Sequence, residues 1–288
     1  MELASNFRAY LSLIDPSATH VAAAKAAHEK VREQLRTDAE SKDAHKDTFL
    51  SGSYARSTAI KDINDVDVIC LFDINANITE PEVVLAWLQS VLAKYYDQPK
   101  RQGRSVGVKA ARDVWLDIVP ATPVSNDDGP VHIPDREAHA WVVSHPRGQL
   151  AAAIQKNKVT DGLYVPVVKL MKAWRDRLPN ENCRPVSYIL ESIVHRTIGN
   201  PQSHAAAVVN VLEGAHTTFG LFRCTGTVPF VADPGYPSVN VAKRWTSTEF
   251  DAFMAQVQSA ATVARSALDS SDEKKSRELW QQLFGDKF

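Results

Sequence analysis

The segment Asp65-Val66-Asp67-Val68-Ile69-Cys70-Leu71-Phe72 opens with two carboxylates and is otherwise apolar. Such a run of β-branched and other apolar residues predicts a buried β-strand. Because successive strand side chains point to opposite faces, Asp65 and Asp67 are expected on the same face. Two adjacent like charges are costly unless a cation neutralises them, and paired carboxylate oxygens suit Mg²⁺. The segment therefore predicts a metal-binding strand start, the alternative being a solvent-exposed acidic pair that begins the strand.

A glycine turn precedes this strand, in Ser51-Gly52-Ser53-Tyr54, directly after the apolar pair Phe49-Leu50. Glycine lets the backbone approach a phosphate closely, and serine adds a hydroxyl donor. Taken alone, the turn has an ordinary structural explanation. Its position shortly before Asp65 favours the functional interpretation, in which Gly52 and Ser53 bind phosphate groups beside a metal site.

A third carboxylate, Asp117, lies within the apolar segment Trp115-Leu116-Asp117-Ile118-Val119. A buried acid in a strand needs a partner, since an unpaired buried charge is destabilising. If its strand neighbours that of Asp65 and Asp67, three carboxylates would surround one or two Mg²⁺ ions, the arrangement of two-metal phosphoryl transfer. Asp117 would then help to activate an attacking hydroxyl. The alternative is a structural salt bridge to Arg112 or to other basic residues nearby.

The charge balance argues against a protein that mainly grips long nucleic acid. The 288 residues carry 33 Lys and Arg against 34 Asp and Glu, a formal net charge of -1, whereas binding to a long polyanion needs many basic contacts. Small anionic substrates remain compatible with this balance. One basic cluster stands out, and it either contacts phosphates or forms a solvated rim. It consists of Lys100, Arg101, Arg104, Lys109 and Arg112.

Apolar runs and cysteines restrict the class further. The longest apolar run, 66–72, is far shorter than the roughly 20 residues needed to cross a bilayer, and the first residues show no secretory signal pattern. We therefore expect a cytosolic protein that contacts no membrane. Cys70, Cys183 and Cys224 lie far apart, which predicts reduced thiols and neither disulfides nor a zinc site. A bound metal would need oxygen ligands.

The periodicity of apolar residues changes near the middle of the chain. The first half alternates helices and strands, whereas from about residue 148 the spacing is helical throughout, except for a Pro- and Gly-rich interruption at 225–240. We predict two domains, a catalytic core over 1–150 and a helical domain over 151–288. The predicted helices are 17–35, 82–97, 149–157, 161–178, 186–198, 203–213, 247–268 and 274–284. The predicted strands include 66–72, 105–108 and 114–119, the last ended by Pro120.

The order Gly52-Ser53, Asp65-x-Asp67 and then Asp117 resembles that of the DNA polymerase β-like nucleotidyltransferases. More narrowly, the chain looks like a bacterial member of the cGAS/DncV-like (CD-NTase) family. The supporting segments are Val168-Lys169-Leu170-Met171-Lys172-Ala173-Trp174-Arg175, Ser187-Tyr188-Ile189-Leu190-Glu191, Asp233-Pro234 with Asn240-Val241, and Trp280, Leu283, Phe284 and Gly285 near the end. The resemblance implies an α+β fold, in which a polymerase β-like core with a mixed sheet and helices packs against a helical C-terminal half. It also implies a bilobal form with a central nucleotide cleft that the helical domain closes.

The resemblance implies a Mg²⁺-dependent enzyme, with Mn²⁺ as the alternative metal, and makes Asp65, Asp67 and Asp117 its catalytic ligands. It would join nucleoside triphosphates, ATP among them, into a cyclic di- or trinucleotide with release of pyrophosphate, in anti-phage (CBASS-type) signalling. Lys172 and Ser187 would contact the donor triphosphate together with Gly52 and Ser53; the alternative for Lys172 is an exposed helix lysine. A regulatory protein partner is also compatible with the family.

Two other functions stay open from the sequence. The same chemistry could modify an RNA 3′ end or a protein hydroxyl, or the protein could be a catalytically silent nucleotide-binding regulator. The presence of all three carboxylates argues against the silent regulator. The sequence also departs from the family pattern, because many members carry a second glycine before the threonine where this chain has Arg56-Ser57-Thr58. Residue roles across 54–61 are therefore not transferred.

Overall fold

The computed structural model describes residues 1–61, 65–111, 114–126 and 128–288. The helices are α1 (Ala4–Ile14), α2 (Ala18–Thr37), α3 (Gly52–Ala55), α4 (Pro81–Leu92), α5 (Pro146–Val159), α6 (Tyr164–Asp176), α7 (Ser187–Thr197), α8 (His204–Phe219), α9 (Ser247–Asp269) and α10 (Glu273–Phe284). The strands are β1 (His45–Leu50), β2 (Asp65–Phe72), β3 (Lys100–Arg101), β4 (Val106–Ala111), β5 (Val114–Pro123), β6 (Val131–Asp135), β7 (Ala140–Ser144), β8 (Ala232–Asp233) and β9 (Tyr236–Asn240). Short 3₁₀ helices lie at Glu181–Cys183 and Gly220–Thr225.

Contacts divide the chain into two compact units, one of residues 16–151 and one of residues 1–15 with 152–288. The predicted boundary at 150 and 151 lies one residue from this division. Residues 1–15, which the prediction gave to the first domain, group with the second unit instead. The reason is aromatic packing, since the Phe7 ring lies edge-on to Trp280 at 5.1 Å and to Phe288 at 4.8 Å.

The unit of residues 16–151 is built on a mixed sheet, as expected. Its main path is β1-β2-β5-β4-β3, and β6 pairs with β5 and β7. The pair β2 and β5 is parallel, whereas the other pairs are antiparallel. The predicted strands 66–72, 105–108 and 114–119 correspond to β2, β4 and β5, which places the two acidic strands side by side at the centre of the sheet.

The two faces of β2 have different neighbours, because strand side chains alternate. Val66, Val68, Cys70 and Phe72 belong to one apolar cluster with residues of α2 and α4. The opposite face carries Ile69 and Leu71, which pack with Val119 and Ala121 of β5 and with Val131 and Ile133 of β6. Because side chains alternate along a strand, Asp65 and Asp67 lie on this second face, at the end that precedes Ile69 and Leu71.

Most predicted helices are confirmed, with shifted ends. Ser17 caps α2 by accepting a hydrogen bond from the His20 N–H at 3.1 Å, which is the predicted start of that helix. Val21, in the second turn of α2, is 45% exposed. Helix α4 ends at Leu92 and not at 97, and past this end the Tyr95 hydroxyl donates to Asp38.

The prediction that Pro120 ends its strand is wrong. β5 continues to Pro123, with Pro120 opposite Cys70 of β2. Proline is tolerated where a strand has a locally unpaired edge. The pairing of β5 with β4 extends only as far as Ile118. Beside Pro120, β5 therefore has an edge that β4 does not cover.

The unit of residues 1–15 and 152–288 is mainly helical, as predicted. Its core brings together the inward faces of helices α6 to α10 and the aromatic side chains of α1. The broken segment 225–240 contains the small antiparallel pair β8 and β9. Across the described ranges, no helix is long and apolar enough to span a membrane.

Candidate active site

The parallel register of β2 and β5 aligns the predicted carboxylates. Asp67 is the Cα partner of Asp117, and Asp65 is the partner of Trp115. Partner residues on neighbouring strands lie about 4.8 Å apart and share a face of the sheet. Asp65 is exposed, whereas Asp67 and Asp117 are half-buried. All three carboxylates therefore belong to one short patch at the start of the two strands.

The electrostatics of Asp117 reflect this crowding. Burial, followed by the charges of Asp67 and then Asp65, raises the pKa of Asp117 from 3.8 to about 6. The hydrogen bond that the Gln102 amide donates to Asp117 at 2.9 Å acts to lower this pKa. The patch thus concentrates negative charge that a cation would relieve.

Gly52 lies directly against Asp67. Its φ of +63° is in the left-handed region, and a Cβ added there would lie 1.8 Å from Asp67 Oδ2. The Ser51 N–H also donates to the Asp67 carbonyl at 2.8 Å. The glycine is therefore required by its backbone conformation and by the close approach of a site carboxylate.

The turn after Gly52 closes on the Ser53 carbonyl, which accepts hydrogen bonds from the Thr58 and Ala59 N–H groups at 2.9 and 3.2 Å. Ser57, at the departure from the family pattern, has a φ of +60°. This left-handed conformation explains why glycine suits the position. Serine thus preserves the turn with some backbone strain. Gly52 and Ser53 begin α3, where the first N–H groups of a helix lack intrahelical acceptors and can bind anions.

The donor chemistry of the acidic patch fits a hard divalent cation, because its side chains supply carboxylate oxygens. Yet no group of three His, Cys, Asp or Glu side chains in the described parts of the chain is already arranged to hold a metal ion. Asp65, Asp67 and Asp117 as metal ligands therefore stay a prediction, supported by their shared face and by the raised pKa of Asp117.

The alternative partner of Asp117, Arg112, lies outside the described residues. Two members of the basic cluster are held elsewhere: Arg101 pairs with Glu82, and Arg104 pairs with the buried Asp135 at 2.7 Å. Both arginines thus form structural ion pairs at the edge of the sheet.

Lys172 and Ser187 lie in the helical unit. Lys172 Nζ is 2.6 Å from Glu191 Oε1, and the two side chains are 0% and 2% exposed. The alternative of an exposed helix lysine is therefore wrong. Ser187 Oγ accepts a hydrogen bond from Arg175 Nη1 at 2.7 Å. The triphosphate role of both residues stays a prediction, and Glu191 and Arg175 are partners that the sequence reasoning did not assign.

Comparisons with known proteins agree with this architecture. The model of the Second Messenger Oligonucleotide or Dinucleotide Synthetase (SMODS) domain matches residues 1–157. The cyclic AMP-AMP-AMP synthase of Acinetobacter sp. (strain ATCC 27244 / 9458) is 33% identical, over 100% of this chain and 86% of its own length. The probable cyclic AMP-AMP-GMP nucleotide synthase of Salmonella paratyphi B is 28% identical, over 100% of this chain and 92% of its own.

Solved structures show the same fold. CdnC of E. coli MS115-1, solved with ATP, superposes with a TM-score of 0.82 at 20% identity, covering 99% of this chain and 98% of its own. In a complex with HORMA-deltaN, the same protein gives a TM-score of 0.77 with the same coverage and identity.

The fold is that of the polymerase β-like nucleotidyltransferases, and the predicted enzyme class is confirmed. The chain belongs to the SMODS family of cGAS/DncV-like nucleotidyltransferases, which join nucleoside triphosphates into cyclic di- or trinucleotides.

Proposed function

We propose that this protein joins three molecules of ATP into a cyclic trinucleotide signal and releases pyrophosphate at each step. The single observation that carries catalysis is the pairing of Asp67 with Asp117 on adjacent parallel strands, with Gly52 against Asp67. The choice of a cyclic AMP-AMP-AMP product is supported by the Acinetobacter synthase, which is 33% identical over the whole of this chain.

In each step a ribose hydroxyl oxygen of one nucleotide attacks the α-phosphorus of another. The bond from that phosphorus to pyrophosphate breaks, and the proton of the hydroxyl passes to the Asp117 carboxylate. The backbone N–H groups of Gly52 and Ser53 and the Ser53 hydroxyl bind the triphosphate. Closure of the third phosphodiester gives the ring.

Asp65, Asp67 and Asp117 would hold Mg²⁺ or Mn²⁺. The cation, when bound, neutralises charge on the triphosphate and on the leaving pyrophosphate. Lys172 and Ser187 are proposed as further triphosphate ligands, which an ATP-binding measurement on their alanine variants would test.

A second candidate product is a cyclic AMP-AMP-GMP, which the 28% identical Salmonella protein favours. Purified protein with Mg²⁺, incubated with ATP alone and with ATP plus GTP and then analysed by mass spectrometry, separates the two. Cyclic tri-AMP from ATP alone supports the first product, whereas a cyclic product formed only when GTP is added supports the second. If RNA or a protein added to the same assay becomes covalently linked to a nucleotide, the alternative acceptors are favoured. A complete lack of turnover would favour the silent regulator.

A regulatory protein partner is proposed as well. CdnC of E. coli, which has the same fold, has been solved in complex with HORMA-deltaN. The proposal is tested by product formation with and without such a protein: a large rise in rate supports it, and an unchanged rate together with no binding contradicts it.

A further inference from the structure

Gln102, in the connection between β3 and β4, reaches the acidic patch although sequence reasoning gave it no role. Its Nε2 donates to Asp117 Oδ1 at 2.9 Å. Asp117 accepts this bond on one carboxylate oxygen, which leaves Oδ2 as the oxygen that can face a metal ion or an attacking hydroxyl. A hydrogen bond to a charged acceptor is stronger than one between neutral groups.

The side-chain amide of Gln102 has a defined orientation. Ser105 Oγ donates to Gln102 Oε1 at 3.1 Å, so the amide oxygen faces a donor and the amide nitrogen faces the carboxylate, which can only accept. The Gln102 N–H also donates to the Ser105 carbonyl at 2.8 Å. Ser105 is only 5% exposed, and it therefore anchors both the backbone and the side chain of Gln102.

Gly107 leaves room for this contact. It is the Cα partner of Asp117 across the antiparallel pair of β4 and β5. A Cβ added at Gly107 would lie 2.7 Å from Gln102 Nε2 and 3.3 Å from Asp117 Oδ1. Any larger residue would separate the amide from the carboxylate. Gly107 therefore leaves the space in which the Gln102 amide, held by the buried Ser105 hydroxyl, contacts Asp117.

We propose that Gln102, anchored by Ser105, is a positioning residue that fixes the rotamer of Asp117 for the transfer step. This inference rests on the proposed function, in which Asp117 takes part in that step. Gln102 touches neither substrate nor metal in this role. Its effect on turnover is therefore transmitted through Asp117, and Ser105 acts only through Gln102.

The test compares wild type with Gln102→Leu, Ser105→Ala and the double variant, measuring kcat and KM for ATP by product formation. We expect Gln102→Leu to lower kcat about 10- to 100-fold, because misplacing a reacting group is costly, while KM changes less than about twofold. Ser105→Ala should lower kcat less. The double variant should match Gln102→Leu, since Ser105 has no second route to the site.

Gln89→Leu is the matched control, because Gln89 Nε2 also donates to an oxygen acceptor, the Pro99 carbonyl at 2.7 Å, away from the carboxylates. Its kcat should equal that of wild type. A wild-type kcat in Gln102→Leu, or additive effects of the two single variants, would overturn the proposal. A loss of kcat in Ser105→Ala that is accounted for by a lower melting temperature of that variant would also overturn the proposal.

A crystal structure of Gln102→Leu gives a readout independent of activity. A rotated Asp117 side chain supports the proposal, and an unchanged rotamer overturns it. If wild type forms no product from any nucleotide mixture, the proposed function fails, and the crystal structure still decides the role of Gln102.

Discussion

Asp67 on β2 and Asp117 on β5 are Cα partners across a parallel strand pair, so their side chains leave the sheet at the same level and on the same face. Antiparallel neighbours flank this pair on both sides, β1 beside β2 and β4 beside β5. The two carboxylates are thereby held at the centre of the sheet, and the hydrogen-bonded strands on either side, not a loop, set the positions of their Cα atoms.

Asp65→Asn and Asp67→Asn should each lower turnover by at least about 100-fold, because each removes a charged oxygen ligand from the reacting centre. Both variants should stay folded, since neither side chain is fully buried. The measurement is the rate of product formation with ATP and Mg²⁺, and circular dichroism checks the fold. Asp73→Asn, an exposed acid just past the end of β2, is the control with unchanged activity. Activity equal to wild type in both variants would contradict the metal assignment.

Asp117→Asn should stabilise the metal-free protein near pH 8. The pKa of Asp117 is about 6 in the fold and near 3.8 otherwise, so between these values the native state binds more protons than the unfolded state. Stability is therefore lost as pH rises through this window. The gain in melting temperature from the substitution should be larger at pH 8 than at pH 4 in the presence of EDTA. Added Mg²⁺ should reduce the gain at pH 8, and a gain that is the same at both pH values would contradict the account.

Gly52 and Ser57 both have left-handed backbones but should respond oppositely to substitution. Gly52→Ala should destabilise the fold by at least about 2 kcal/mol, because the new methyl group would overlap Asp67 Oδ2. Ser57→Gly should leave stability unchanged or raise it by up to about 1 kcal/mol, because it relieves the strained φ. Urea unfolding of the two variants measures both effects. Marked destabilisation by Ser57→Gly would show that the serine side chain has a structural role of its own.

Lys172→Met should destabilise the protein by about 3 kcal/mol, because it removes the buried ammonium group that lies 2.6 Å from the Glu191 carboxylate. The double variant Lys172→Met with Glu191→Met should recover much of that loss, since two apolar side chains replace a desolvated ion pair. Urea unfolding measures stability, and equilibrium binding measures the affinity for ATP.

The same pair of variants tests the predicted triphosphate role of Lys172. If the lysine binds ATP directly, affinity stays low in the double variant although stability returns. Affinity that recovers together with stability would assign Lys172 a purely structural role. Lys169→Met is the control, because Lys169 lies on helix α6 like Lys172 but pairs with the partly exposed Asp15, which follows the end of α1.

His195 should make the fold sensitive to acid. Burial, and then the charge of Lys156, lowers its pKa from 6.5 to about 4, and its ring lies edge-on to Tyr164. Between pH 6.5 and 4 the unfolded state binds more protons, so stability is lost as pH falls. His195→Phe should flatten this dependence in urea unfolding between pH 7 and pH 5, whereas the exposed His216→Gln should not. An equally steep loss in His195→Phe would contradict the assignment.

Local patterns predicted the acidic strands and the shared face of Asp65 and Asp67, because strand alternation is a property of the chain itself. They also predicted most helices, since apolar spacing reports which face is buried. Local patterns did not predict that the strands of Asp67 and Asp117 are neighbours. It depends on sheet order, which is set by packing between distant segments.

What local patterns missed has the same cause. Gln102 reaches Asp117 because the chain folds back between β3 and β4, and no periodicity reports where such a side chain will point. Pro120 continues its strand because β4 ends beside it. The partner of Lys172, Glu191, comes from the next helix. A polar residue that shortly precedes a glycine of a predicted strand is the one local signal that points to Gln102 and Gly107.

The packing of Phe7 and Tyr10 among Phe284 and Phe288 means that the helical unit is assembled from both ends of the sequence. A fragment starting at residue 152 would expose the aromatic surface that α1 covers. Dissection of this protein therefore calls for an internal deletion, in which a linker replaces residues 16–151 and joins residue 15 to residue 152, while the sheet unit is expressed separately as 16–151.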